Sequence, residues 1–196
     1  MESSFETLIN SYIETQVGIA EHFISDTLAL HLKNNLLDLH AQNHMHAAGT
    51  GNTGNVLHDK KTRSDSIYWL DRSHNNIHEN TFFDQMDAFV THLNRHCYTG
   101  IKSYEFHYTL YQPGAFYKKH IDQFQNDSNR AFSIVSYLNT DWIETDGGKL
   151  CIHHATGQQH IAPTNGKTVF FKSNQIEHEV LPTTADRLSI TGWLKT

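Results

Sequence analysis

At residue 104 the hydrophobic period of this chain changes from the ~3.6 of a helix to the 2 of a strand. Upstream, Phe5, Leu8, Ile9, Tyr12 and Ile13 form an i, i+3, i+4, i+7, i+8 stripe, which predicts a helix over residues 4–16. Ile19 to Ile24 reads as a short strand. Ser25 or Asp26 suits the N-cap of a second helix carrying Leu28, Leu30, Leu32, Leu36, Leu37 and Leu39. Ile67 to Leu70 is a strand candidate, and Phe82, Phe83, Met86, Phe89, Val90 and Leu93 form a further helical stripe. Downstream, alternation predicts strands over 104–111, 115–122, 131–139, 148–153, 167–172, 177–181 and 187–194. Turn signals separate them: Pro113-Gly114, Asp127-Ser128-Asn129, Asp146-Gly147-Gly148, Asn165-Gly166 and Pro182-Thr183-Thr184. Helices first and short strands after predict an α+β fold, a β-barrel or sandwich with the helices packed on one sheet.

A length of 196 residues predicts one domain. Residues 1–60 would supply helical support and a mobile loop, and 61–196 the barrel. The loop is 43–62, which holds Gly49, Gly51 and Gly54 and shows no periodicity. It is too long for a plain connector, which makes it a candidate functional segment. A formal charge of −6 disfavours sequence-independent binding to nucleic acid, which needs a basic footprint. Cys97 and Cys151 are the two cysteines and sit in no paired motif, so neither a disulfide scaffold nor a zinc knuckle is indicated. The acidic start Met1-Glu2-Ser3-Ser4-Phe5-Glu6 lacks the core of a signal peptide, and no apolar run approaches 18 residues. The expectation is a soluble, cytoplasmic protein of a reducing compartment, without a membrane partner.

The last strand leaves a choice open. Arg187, Ser189, Thr191 and Trp193 share one face, and Leu188, Ile190 and Leu194 the other. The polar face either meets water or lines a ligand pocket inside the barrel.

Candidate chemistry begins at His120-Ile121-Asp122, followed by His178 and Arg187. Two imidazoles and a carboxylate are the ligand set of a non-haem Fe(II) site with open coordination positions. Residues i and i+2 of a strand point to one side, so His120 and Asp122 can face one metal. No thiolate belongs to the set, which points away from structural zinc. A basic side chain nine residues past the last histidine could anchor the far carboxylate of a dicarboxylate such as 2-oxoglutarate. The pair alone is weak: with 16 His and 21 acidic residues, chance placement yields about two His-x-acid pairs, and there is one. On its own His120 reads more readily as a surface strand residue and Asp122 as a turn residue. His40, His44 and His46 are a denser cluster, but no carboxylate partners them and they read as solvated.

Four segments together go further: Tyr111–Asp122, Arg130–Trp142, Gly147-Gly148-Lys149-Leu150 and Pro163–Trp193. With the strand entrance Arg63-Ser64-Asp65, they resemble the prolyl 4-hydroxylase superfamily of Fe(II)/2-oxoglutarate-dependent dioxygenases over about residues 60 to 194. The likeness is greatest to the hypoxia-inducible-factor prolyl hydroxylases and their bacterial relatives. The resemblance implies a double-stranded β-helix (jelly-roll) barrel with the N-terminal helices on one sheet. It implies that His120, Asp122 and His178 are the iron ligands. It implies that Arg187 pairs with the 2-oxoglutarate C5 carboxylate, with Tyr137 donating to the same group. Thr191 and Tyr111 match positions around the cosubstrate, and Tyr117 and Trp193 match positions toward the substrate. Arg63 and Asp65 fall in the loop base that meets substrate, and Asp65 and Arg130 could pair to hold it. Lys60, Lys61 and Arg63 could meet an acidic peptide, or form an ordinary solvated stretch.

The activity implied is hydroxylation of an unactivated C–H bond, with O2 and 2-oxoglutarate as cosubstrates, succinate and CO2 as products, and ascorbate as a family expectation. The substrate implied is a prolyl residue of a protein or peptide. A free amino acid or other small molecule is the alternative within the same chemistry. A non-catalytic barrel that binds a metal or carboxylate is the alternative outside it, and a zinc hydrolase a remoter one.

Overall fold

The computed structural model describes residues 2–49, 61–123 and 129–196. Most of the expected mobile loop, 50–60 with Lys60, lies outside the described residues, as do Asp127 and Ser128 of one turn signal.

Helix α1 (Glu2–Thr15) buries Phe5, Leu8 and Ile9, while the end of the stripe, Ile13, runs out into solvent. Strand β1 (Val17–Ala20) lies earlier than the expected 19–24, because the chain turns at Glu21-His22, where His22 adopts a φ of 51°. Ser25 resolves the N-cap choice for α2 (Asp26–Ala41): its hydroxyl oxygen accepts from Leu28 N at 3.2 Å, satisfying one of the free amides of the first turn. The short β2 (His46–Ala47) follows, then β3 (Ser66–Trp69). In α3 (Ile77–Cys97), capped by the Asn76 side chain, Phe82, Phe83, Met86, Phe89 and Leu93 form the buried stripe.

The strands β4 (Ser103–Tyr111), β5 (Tyr117–His120), β6 (Arg130–Tyr137), β7 (Leu150–His154), β8 (Gly157–Ile161), β9 (Thr168–Lys172), β10 (Glu177–Val180) and β11 (Arg187–Lys195) complete the chain. The order is β1-β9-β6-β11-β4-β3-β2 in a major sheet and β5-β10-β7-β8 in a minor one. The described strand pairs are all antiparallel, in the arrangement of a jelly roll. Two corrections follow. Strand β5 stops at His120, two residues short of expectation, so Asp122 lies in the bend beyond it. Strand β8 was not foreseen: Gly157-Gln158-Gln159-His160-Ile161 is poor in β-formers and pairs with β7 across a tight turn.

Two cores result. One lies between the helices and the major sheet, where Phe106, Tyr108, Leu110, Ile134, Phe170, Leu188, Ile190 and Leu194 meet α1, α2 and α3. The other lies between the sheets, where Val135 and Tyr137 face Leu150, Ile152 and Val180. Strand β11 runs through the middle of the major sheet, between β4 and β6. Its even residues feed the first core. Its odd residues, Arg187, Ser189 and Trp193, are buried between the sheets, with Thr191 half-buried beside them. The polar face of β11 thus lines an interior and not the solvent. Gly192 lets this strand pass beneath Phe106, since a Cβ there would sit 2.2 Å from that ring and 2.3 Å from the Glu105 carbonyl oxygen.

Candidate active site

Antiparallel pairing of β5 with β10 puts His120 and His178 opposite each other. Their ring centroids are 4.3 Å apart. The bend after β5 swings Asp122 back toward both rings. Its Oδ1 lies 3.2 Å from His120 Nε2 and 3.6 Å from His178 Nε2. One ligand atom from each of the three residues falls within 4.8 Å of the others.

The surroundings set the state of each group. His120 Nδ1 donates to the Lys118 carbonyl oxygen at 2.7 Å, and His178 Nδ1 to that of Ile176 at 3.0 Å. A carbonyl only accepts, so Nδ1 carries a proton in both rings and Nε2 is the nitrogen that faces an ion. Burial pushes His178 down to about 4, which keeps it neutral at physiological pH. For Asp122, burial acts upward but is outweighed by His178, His120 and the Ser133 hydroxyl, which together hold it well below the usual carboxylate range. Ser133 Oγ donates to Asp122 Oδ2 at 2.6 Å and in turn lies 2.9 Å from Ser173 Oγ. Two imidazoles and an ionised carboxylate, with no sulfur, fit ferrous iron. Ser133 orients that carboxylate, and Ser133→Ala is expected to weaken Fe(II) affinity about 10- to 100-fold. Anaerobic iron titration of the variant measures this, and wild-type affinity would deny Ser133 the role.

The three residues open onto a cavity of about 840 Å³ between the sheets. Arg187 also lines it, although only 2% exposed. Its Nε donates to the Gly148 carbonyl oxygen at 2.7 Å. Gly148 has a φ of 67°, and a Cβ there would crowd Arg187 Cδ at 3.0 Å, so a glycine suits both the turn and the arginine. The Arg187 guanidinium carbon lies 4.9 Å from the Tyr111 ring centroid and 5.0 Å from that of Tyr137. Among the described residues no carboxylate pairs with it. The Tyr137 hydroxyl, Ser189 Oγ and Trp193 Nε1 are likewise buried without a hydrogen-bond partner. A buried cation beside unused polar atoms is costly unless an anion completes it. A carboxylate fits.

Other expected site residues divide. Thr191, Tyr111, Tyr117, Trp193 and Arg63 line the cavity. Tyr137 is fully buried beside Arg187, behind the lining. Tyr117 stacks on His120 with centroids 3.6 Å apart, and the Arg63 guanidinium carbon lies 4.3 Å from the Tyr117 ring centroid. Asp65 is buried and does not line the cavity. It does not pair with Arg130. Arg63 reaches it first, through Nε at 2.8 Å and Nη2 at 2.5 Å, two residues away on one side of the chain. Arg130 instead binds Glu105 at 2.8 Å and covers the Trp193 ring at 3.4 Å.

The sequence reading missed Ser133, and also an aromatic wall. Trp69 and His107 are register partners on β3 and β4, with rings 5.0 Å apart and edge-on; His107 lies 5.5 Å from Trp193. Inward parity with Val135 and Tyr137 could have revealed Ser133; nothing local reveals the wall. Burial also pushes His107 down to about 4. An unfolded imidazole protonates near 6.5, so the unfolded chain binds protons first as pH falls. Stability is therefore full above about pH 6.5 and is lost toward pH 4, with His107 and His178 each contributing on the order of 3 kcal/mol. The metal-free protein should melt roughly 10 °C lower at pH 5 than at pH 7.5. A flat Tm across that range would contradict the neutral, buried state of both rings.

A family model described as the 2OG-Fe(II) oxygenase superfamily matches residues 106–195. The fold is similar to the crystal structure of a Pseudomonas putida prolyl-4-hydroxylase, with a TM-score of 0.87 and 30% identity, covering 97% of this chain and 98% of that one. It is also similar to a Trichoplax adhaerens prolyl hydroxylase in complex with a hypoxia-inducible-factor peptide fragment, with a TM-score of 0.86 and 22% identity over 99% of this chain and 90% of that one. A viral collagen prolyl hydroxylase from Paramecium bursaria Chlorella virus-1, in a 2OG complex, is similar with a TM-score of 0.66 and 17% identity over 93% and 97% of the two chains.

Proposed function

Because the chain belongs to the prolyl 4-hydroxylase-like 2OG-Fe(II) oxygenases and is a 2-oxoglutarate-dependent dioxygenase, we propose that it hydroxylates an unactivated C–H bond of a prolyl residue in a protein or peptide. In this reading His120, Asp122 and His178 hold Fe(II). Arg187 holds the far carboxylate of 2-oxoglutarate, with Tyr137 and Tyr111 around its guanidinium and Thr191 on the cavity wall. The observation that carries it is the buried Arg187 charge, without a carboxylate partner among the described residues, in the same cavity as the His-Asp-His cluster.

When bound, the metal supplies O2 activation coupled to conversion of 2-oxoglutarate to succinate and CO2. This chain's residues do the rest. The carbonyls of Lys118 and Ile176 fix the ring tautomers, and Ser133 aims the Asp122 carboxylate. Arg187 orients the cosubstrate through a planar fork suited to two hydrogen bonds to a carboxylate.

A prolyl substrate is supported by the aromatic residues on the cavity, Tyr68, Trp69, Tyr117 and Trp193, since proline-rich segments dock on aromatic-lined grooves. Trp69 is 46% exposed, which leaves a face for a peptide. The similarity to a hydroxylase holding a peptide supports the same choice. The test is succinate formation from 2-oxoglutarate by Fe(II)-loaded protein, with and without O2, with and without ascorbate, and with a panel of proline-containing peptides. Peptide-stimulated, O2-dependent turnover is expected, with a mass gain of one oxygen on proline. Turnover stimulated only by free amino acids would replace the peptide with a small molecule.

A further inference from the structure

The minor sheet carries a second convergence of ligand atoms, on the side facing away from the cavity. On β7, Leu150 and Ile152 point into the core between the sheets, so Cys151 and His153 point outward. On β10, His178 faces the cavity, so Glu179 faces outward too. Cys151 and Glu179 are register partners. Cys151 Sγ lies 3.8 Å from His153 Nε2, and His153 Nε2 lies 2.9 Å from Glu179 Oε1. One ligand atom of each residue falls within 4.8 Å of the other two.

We propose that Cys151, His153 and Glu179 form a second metal site, for a divalent ion of the zinc class. Tetrahedral zinc with its usual bond lengths separates sulfur from nitrogen by about 3.6 Å and nitrogen from oxygen by about 3.3 Å. The two separations here differ from those by a few tenths of an ångström, within the reach of small side-chain rotations. A thiolate, an imidazole and a carboxylate form a softer set than His-Asp-His, which favours zinc over iron. Cys151 is buried at 1% exposure, while the His153 and Glu179 side chains are 19% and 27% exposed, so an ion would enter past those two to reach the thiol. Gln158 Nε2 lies 3.4 Å from the other ring nitrogen of His153. An amide can present its oxygen as readily as its nitrogen, so Gln158 can accept from Nδ1–H and leave Nε2 free for the ion. The thiol proton passes to solvent as the ion binds. The fourth position faces outward near the exposed His160, the register partner of Cys151 on β8. An ion there ties β7 to β10, the strand that carries His178 on its other face. The site does not depend on the function proposed above.

Titration of metal-free protein with Co(II) tests it. A sulfur-to-cobalt charge-transfer band in the near ultraviolet is expected, reaching at saturation the amplitude of one thiolate ligand per chain and bleached by Zn(II). The His120, Asp122 and His178 cluster contains no sulfur and cannot produce that band. The band should persist in C97S, vanish in C151S, and need at least tenfold more cobalt in E179Q. Absence of the band from the wild type, its survival in C151S, or its loss in C97S overturns the proposal. If C151S does not fold, E179Q decides alone, at unchanged melting temperature: weaker cobalt binding supports the site, and unchanged binding overturns it.

Discussion

Asp122→Ala is expected to abolish Fe(II)-dependent succinate formation while leaving the protein folded. Asp122 supplies the cluster's anionic ligand, and its oxygen lies within 3.6 Å of both imidazole Nε2 atoms. Replacing a residue that merely orients a ligand typically costs 10- to 100-fold in affinity or activity, so loss of the ligand itself should cost well over about 100-fold. The cost to the fold is small. Ser133 keeps Ser173 as a partner, and Asp122 lies beyond β5, where no sheet pairing rests on it. One lost hydrogen bond to a charged group is worth about 1.5–3 kcal/mol, and part of the desolvation of the carboxylate is recovered. Iron binding and turnover should therefore vanish together, with Tm lowered by no more than about 10 °C. Normal activity in Asp122→Ala would remove the residue from the metal site.

Arg187→Ala is expected to raise the 2-oxoglutarate requirement about 30-fold to several thousand-fold. Removing one partner of a buried, hydrogen-bonded charge pair costs roughly 2–5 kcal/mol, and 1.4 kcal/mol is tenfold in affinity. The variant separates two roles through its free state. Without ligand, Arg187 is a buried charge that donates to the Gly148 carbonyl oxygen and has no carboxylate partner among the described residues, so losing it need not destabilise the empty protein. Wild-type protein should gain several degrees in Tm on adding 2-oxoglutarate, and Arg187→Ala should gain almost nothing at the same concentration. Arg187→Lys keeps the charge but loses the planar fork, and should fall between the two. An unchanged 2-oxoglutarate requirement would take Arg187 out of the cosubstrate site.

What the sequence disclosed depended on how local the signal was. The alternation of β11 showed which residues share a face, and the helical stripes showed which faces of α1 and α3 are apolar; both are read within a few turns of chain. His120, Asp122, His178 and Arg187 stood out through the combined spacing of four segments, since the His-x-Asp pair itself was no commoner than chance. The strand geometry invoked for that pair was incomplete. The strand ends at His120, and the bend after it does the positioning. Parity along β6 could put Ser133 on the inward face, but His107 could be placed only once β4 was known to flank β11, because a strand's neighbours depend on pairings far away in the chain. The Asp65–Arg130 pairing failed for the opposite reason. A closer cation, Arg63, was two residues away, while Arg130 faces Glu105 across the sheet. Strand β8 was missed because its composition carries almost no β signal and its pairing with β7 is what makes it a strand.

Strand β11 keeps its two kinds of work on alternate letters. Its even positions hold the helices on; its odd positions Arg187, Thr191 and Trp193 line the cavity. Neighbouring substitutions in this nine-residue strand therefore answer to different pressures. One class is tolerated as far as the packing can absorb a change of volume, the other as far as the chemistry can. Drift at Leu188 or Ile190 can proceed without passing through the cavity, and a change of specificity at Thr191 or Trp193 can proceed without loosening the helices. The central strand can accumulate both kinds of change independently, one residue apart.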